Sequence, residues 1–208
     1  MLYLPRKPLT QYRRGQIVFD RHQPCDGLHL VVRGRVKVSS AVDGGSLTVI
    51  DIYTADDFFG ESGLLSLATR GQTAAAIESA SLMSWTTAEV EAEIDRQPRL
   101  GVALVQTMVA RCLDFEERLQ VFALEKTGAR VARSLLRFAD RHGEPQADGS
   151  QRIPPLTHQM LAEYVGTSRE IVTFQMNHLR QQGYLIYSRK GIQVRTGALR
   201  EHLQRETQ

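Results

Sequence analysis

The run Leu156-Thr-His-Gln-Met-Leu-Ala-Glu-Tyr-Val-Gly166-Thr-Ser-Arg-Glu-Ile-Val-Thr-Phe-Gln-Met-Asn-His-Leu-Arg180 reads as two short helices joined by a sharp turn. Thr157 is placed to cap the first helix, Leu161 and Val165 put apolar groups on one face, and Ala162 is small enough for a close helix crossing. Gly166 stands where the chain needs a left-handed residue to leave that helix. The second helix starts at Thr167 or Ser168 and buries Val172, Met176 and Leu179 at +4 and +3 spacing. Arg169, Glu170, Thr173 and Asn177 are then left facing outward near its N-terminal end, where a helix-turn-helix meets a major groove.

The side chains suit that place. An arginine bonds both O6 and N7 of guanine, and a glutamate accepts from cytosine N4. A competing reading makes Thr167-Ser-Arg-Glu170 a capping box, with Glu170 folded back onto the helix start. The next segment, Gly183-Tyr-Leu-Ile-Tyr-Ser-Arg-Lys-Gly191-Ile-Gln-Val194, reads as two short strands around a basic turn, a wing whose Arg189 and Lys190 take phosphates. Thr157, His158, Gln159 and Ser168 are further candidates for phosphate contact. Charge follows the same division: residues 152–208 hold eight of the 26 Lys and Arg but four of the 23 Asp and Glu, a net of +4, which leaves −1 for residues 1–151. A polyanion is expected at the C-terminal end.

Working back toward the N-terminus, residues 15–85 are short apolar runs punctuated by glycine: Ile17-Val-Phe, Leu28-His-Leu-Val-Val, Val36-Lys-Val, Leu47-Thr-Val-Ile-Asp-Ile, Ala74-Ala-Ala-Ile and Leu82-Met-Ser-Trp85. With turn signals at Gly27, Gly34, Asp43-Gly44-Gly45 and Gly60, this is the pattern of an antiparallel barrel or roll. At about Pro98 the period changes to seven: Gly101, Val105, Met108, Cys112, Phe115, Leu119 and Phe122 follow a 4-3-4-3 spacing. One long helix with a narrow seam predicts a parallel dimer, and the competing reading is a core helix lying on its own barrel. Lys126-Thr127-Gly128 is a candidate hinge, Val131, Leu135, Leu136 and Phe138 mark another amphipathic helix, and residues 142–151 read as a polar loop. The fold class is α+β, divided as a β-roll over 1–97, a dimerisation helix over 98–125 and a winged helix-turn-helix over 126–208.

With 42% hydrophobic residues the 208-residue chain can bury a real core. No segment approaches the roughly 18 apolar residues of a membrane span, and the start has no signal-peptide run, so a cytoplasmic location is expected. Cys25 and Cys112 stand alone, which offers no metal framework and no iron–sulfur cluster. No nucleophile elbow, phosphate loop or metal-ligand spacing is present, and an enzyme is not expected.

The order of parts, with the strings Phe59-Gly-Glu61, Thr167-Ser-Arg-Glu170 and Gly183-Tyr-Leu-Ile, resembles the cyclic AMP receptor protein (CRP/FNR) superfamily of transcription regulators over nearly the whole chain. The resemblance implies a cyclic-nucleotide-binding-like jelly roll, a homodimer, double-stranded palindromic DNA with TGTGA-like half-sites, RNA polymerase as a partner, and activation of transcription. Residues 42–46 and 142–151 are the loops it offers to polymerase. By the same resemblance Arg169 and Glu170 match base-reading positions, whereas an arginine one turn later is Phe174 here, a side chain suited to a thymine methyl or to packing on the wing. In the sensor pocket Gly60 and Glu61 match backbone and ribose contacts. The phosphate pair Arg-Ser falls at Gln72-Thr73, with Arg70 nearby, and the adenine-contacting Thr-Ser falls at Phe115-Glu116. A neutral Gln72 cannot pair with a cyclic phosphate. The expectation is therefore no cofactor, no cyclic AMP dependence, and DNA binding without an effector; the alternative is a sensor gated by cyclic AMP or another small molecule. His22 and His29, in the barrel, are the residues a haem would need.

Overall fold

A computed structural model of the chain describes residues 4–24, 27–41, 47–65, 71–188 and 191–206. Two compact units are present, Met1–Asp114 and Phe115–Gln208.

The first unit runs β1 (Thr10–Tyr12), β2 (Ile17–Phe19), β3 (Gly27–Arg33), β4 (Val36–Ala41), β5 (Leu47–Tyr53), β6 (Phe58–Phe59), a 3-10 turn (Glu61–Leu65), β7 (Thr73–Ala76), β8 (Ala80–Thr86) and α1 (Thr87–Arg96). Its strands form two antiparallel four-stranded sheets, ordered β1-β8-β3-β6 and β2-β7-β4-β5, the order of a double-sheet jelly roll. Period-2 alternation sends Val31, Val36, Val38, Ala74, Ala76 and Leu82 inward with Phe19, Tyr53 and Phe59. On the other side of β3, Leu28 and Leu30 pack with Trp85 of β8 and Val90 of α1.

Each apolar run singled out in the sequence lies in a strand, save that Ile77 falls one residue past the end of β7. Gly27, however, is no turn: it opens β3 opposite Thr86, and a Cβ there would lie 2.2 Å from the Trp85 carbonyl oxygen. Gly34 does turn the chain, at φ +82°. The hairpin signal at residues 43–45 lies outside the described residues; the strands flanking it pair Ala41 with Leu47. Helix α1 has a signal that the apolar period hides, since Thr86 and Glu89 close a reciprocal capping box.

Helix α2 (Arg99–Leu124) is continuous, and the division between the units falls within it. Leu100 is buried and Leu104 packs on the cluster around Trp85. Gly101 and Met108 are half-buried, whereas Val102, Val105, Val109, Cys112, Phe115, Leu119 and Phe122 form the exposed apolar line. Its 3-4-3-3-4-3 spacing drops one residue from a strict heptad.

The second unit adds α3 (Thr127–His142), β9 (Glu144–Pro145), β10 (Gln151–Ile153), α4 (His158–Val165), α5 (Arg169–Gln181), β11 (Leu185–Ser188), β12 (Gly191–Val194) and α6 (Thr196–Glu206). Its four-stranded sheet has the order β11-β12-β10-β9. Residues 142–151, expected as a polar loop, are largely a hairpin: Gln151 and Arg152 pair with Pro145 and Glu144, and β12 supplies the other edge of β10. The candidate hinge is also displaced. The break falls at Glu125 and Lys126, while Gly128 is already helical, and a Cβ there would meet the Gln175 amide oxygen at 2.9 Å. Glycine lets α5 approach α3 closely. The core joins Val131, Leu135 and Phe138 of α3 to Leu161, Val172, Met176, Leu185, Val194 and, from α6, Leu199 and Leu203.

Candidate nucleic-acid interface

The two helices of the 156–180 run form as their caps require. Met160 N–H donates to Thr157 Oγ1 at 3.1 Å, and Ile171 N–H donates to Ser168 Oγ at 3.3 Å. Between them Gly166 takes the left-handed conformation at φ +73°, and its N–H and that of Thr167 both donate to the Ala162 carbonyl. A side chain at 166 would press on the Phe122 ring, 3.3 Å away. Val172, Met176 and Leu179 are buried, as the spacing predicts. The opposite edge of α5 then carries exposed Arg169, Glu170, Phe174 and Asn177.

Glu170 is not the end of a capping box. With Ser168 as the cap, the third helical residue is Ile171, so Glu170 sits one place too early. Its carboxyl is instead held below the usual range by its own backbone N–H and then by the Ser168 hydroxyl. The group is exposed and ionised at the helix N-terminus, acceptor-only, as a partner for cytosine N4 must be.

Thr173 departs from expectation. It is half-buried, and its hydroxyl donates to the Arg169 carbonyl at 2.8 Å. His158 Nδ1 lies 2.8 Å from the same oxygen, and Nε2 lies 3.4 Å from the Tyr187 hydroxyl. Because the Thr173 proton is committed to Arg169, the network assigns the imidazole proton to Nδ1 and leaves Nε2 to accept from Tyr187. Burial, and then the Arg169 charge, lower the His158 pKa, while burial pushes the Tyr187 hydroxyl up to about 12 against the opposing effect of Arg180. The start of α4, the middle of α5 and the wing strand β11 are thus tied by neutral groups. His158 is turned inward rather than offered as a cation to phosphate.

This tie has a pH signature. His158 holds its proton less tightly folded than the ~6.5 of a free imidazole, so its contribution to stability is present above that pH and lost as pH falls through the lower folded value. Between pH 8 and pH 5.5 the wild-type melting temperature is expected to fall more than that of His158→Gln. Parallel melting curves across that range would remove the assignment.

The remaining candidates divide. Thr157 and Ser168 are exposed caps at two helix N-termini, and exposed Gln159 bonds Glu163 at 3.1 Å. Arg189 and Lys190 lie outside the described residues, between β11 and β12, whose last pair is Ser188 with Gly191. Phe174 does not pack on the wing: it is 68% exposed and stacks on His178 of its own helix. Tyr187, within the wing string, and Arg111 are given no role by the sequence pattern, because their partners His158 and Glu61 are distant in sequence.

In the first unit, Gly60 turns at φ +83° and Glu61 follows it. Arg111 Nη1 lies 3.0 Å from Glu61 Oε2; the same guanidinium donates to the Phe58 carbonyl and lies 5.0 Å from the Tyr53 ring centroid. The predicted phosphate pair is a poor fit for a cyclic phosphate. Gln72 is neutral, and the Thr73 hydroxyl donates at 2.5 Å to Asp20, whose carboxyl is held below its usual range chiefly by that bond. Neither member of the pair carries a positive charge, and Arg70 lies outside the described residues. The His29 ring packs against Phe19 and Phe59, with centroids 5.5 and 5.1 Å away, and its Nδ1 is 2.8 Å from Ser84 Oγ. That packing suits a core histidine rather than an axial ligand; His22 is exposed, at φ +76°. Phe115 and Glu116 belong to the second unit, where Arg118 lies 5.2 Å from the Phe115 ring centroid.

A β-roll followed by a capped helix pair with an exposed Arg-Glu edge and a wing defines a DNA-binding transcription regulator. Residues 9–97 match the cyclic nucleotide-binding domain and residues 129–202 the Crp-like helix-turn-helix domain, and the chain belongs to the CRP/FNR family. Among its relatives, the global nitrogen regulator of Synechococcus elongatus is 27% identical over 188 residues, covering 89% of this chain and 85% of its own. The CRP-like cAMP-activated global transcriptional regulator of Mycobacterium tuberculosis is 24% identical over 185 residues, with 89% and 83% covered. The fold is shared with FixK2 from Bradyrhizobium japonicum, at a TM-score of 0.81 and 20% identity over 93% of this chain and 96% of that one. The family is one of transcription regulators, not enzymes, and no described helix is long and apolar enough to cross a membrane.

Proposed function

We propose that the chain is a homodimeric activator that reads a palindrome of TGTGA-like half-sites through α5 and does so without cyclic AMP. The observation that carries the base-reading assignment is the pairing of exposed Arg169 and Glu170 in the first turn of a helix whose opposite face is fully buried. Arg169 takes guanine and Glu170 the cytosine amine. Thr157, Ser168 and Gln159, with Arg189 and Lys190 of the wing turn, hold phosphates and fix the register. The exposed line on α2 supports the dimer, which places two α5 helices on one two-fold site. Activation follows the family's polymerase contact, with the exposed β9 residues Glu144 and Pro145 as a candidate surface.

Independence from cyclic AMP rests on Gln72 and on the Thr73–Asp20 bond. The test is a gel-shift titration of the full chain on a palindromic TGTGA duplex at 50 and 200 mM salt, with and without cyclic AMP. Ligand-free binding with a steep salt dependence is expected. Binding that appears only with cyclic AMP, matched by micromolar affinity in calorimetry, would overturn the effector reading. Binding gated by another small molecule would favour a sensor role, the reading supported by the match to a cyclic nucleotide-binding domain.

A further inference from the structure

The exposed edge of α5 is not uniformly polar. One turn beyond Glu170 stands Phe174, with 68% of its surface exposed, and Ile171 is 43% exposed beside it. Ile171, Phe174 and His178 follow +3 and +4 spacing and so share one face. The Phe174 and His178 rings are parallel to within 1°, with centroids 6.4 Å apart. The imidazole backs the phenyl ring from the next turn, and the ring is held out from the protein rather than folded onto it.

We propose that Phe174, backed by His178, is a specificity-determining residue that selects an A·T pair by covering the thymine C5-methyl group. This rests on the assignment of α5 as the base-reading helix. A phenyl ring carries no donor or acceptor. Set against either pair it strips water from three polar groups without replacing those hydrogen bonds, so the polar loss does not separate G·C from A·T. Set against an A·T pair it gains apolar contact with the only methyl group in the major groove. The operator then keeps the bases read by Arg169 and Glu170 but carries thymine in the column that Phe174 faces.

Selection of sites from a random duplex pool by the full chain tests this, using wild type, Phe174→Ala, Phe174→Leu and Phe174→Arg. Wild type is expected to enrich one thymine column per half-site beside the Arg169 guanine. Phe174→Leu keeps that column, Phe174→Ala loses it alone, and Phe174→Arg converts it to guanine. Replacing that thymine by deoxyuridine in both half-sites removes only the methyl groups, and is expected to weaken wild-type binding roughly tenfold while leaving Phe174→Ala unchanged. Columns identical in all four proteins, or no response to deoxyuridine, would overturn the proposal and mark the stripe as a surface for something other than DNA. Failure of wild type to enrich any sequence would instead remove the base-reading assignment of α5, and this inference with it.

Discussion

Arg169→Ala is expected to weaken binding to the palindromic site by at least about 30-fold while leaving binding to scrambled duplex nearly unchanged. A bidentate arginine–guanine contact discriminates by about 1–3 kcal/mol, and a two-fold dimer loses it in both half-sites, about 2–6 kcal/mol in all. The loss should be confined to one base column, since Arg169 is exposed at the helix start and supports none of the buried packing at Val172, Met176 and Leu179. A wing substitution such as Lys190→Ala should do the opposite, weakening all sequences alike and flattening the salt dependence. Competition assays on specific and scrambled duplexes separate the two. Equal losses on both duplexes for Arg169→Ala would make it a phosphate contact rather than a base reader.

Leu119→Glu is expected to convert the protein to a monomer and reduce operator affinity by about 10²–10⁴, the advantage that two linked half-site contacts have over one. Leu119 and Val105 are 67% and 63% exposed, although their side chains are apolar, and both lie on the predicted seam and on the exposed apolar line of α2. The seam and that line differ at the neighbouring positions. Val109→Glu should weaken the dimer strongly, whereas Met108→Glu, on the half-buried side, should act mainly on the stability of the unit that holds it. Sedimentation equilibrium of the three variants reads this directly. A Leu119→Glu protein that remains dimeric would place the dimer contact elsewhere.

The helix pair was legible because its grammar is local. A cap at Thr157, a left-handed glycine at 166 and a buried +4, +3 face at Val172, Met176 and Leu179 are each set by neighbours within one or two turns. The strands of the roll were legible for the same reason, through their period of two. What escaped was set by partners distant in sequence. The β9–β10 hairpin has no apolar alternation of its own, and β10 is held on its other edge by β12, some forty residues on. Gly27 looked like a turn, yet its lack of a side chain answers to the Trp85 carbonyl across the sheet.

The same division runs through the functional residues. Residue type and helical phase put an arginine and a glutamate at the start of the second helix of the pair, whereas the match of Gln72 to a family cation is implied by the resemblance alone. Only the tertiary structure decided which polar groups are free to act. Thr173 and His158 look available in sequence, but the crossing of α4, α5 and the wing brings them within 2.8 Å and spends their protons on each other and on Arg169. For Phe174 the sequence leaves open a thymine methyl or packing on the wing, and the fold leaves it in solvent, stacked on His178 of its own helix. Side-chain chemistry is written residue by residue; its availability depends on what the fold places against it.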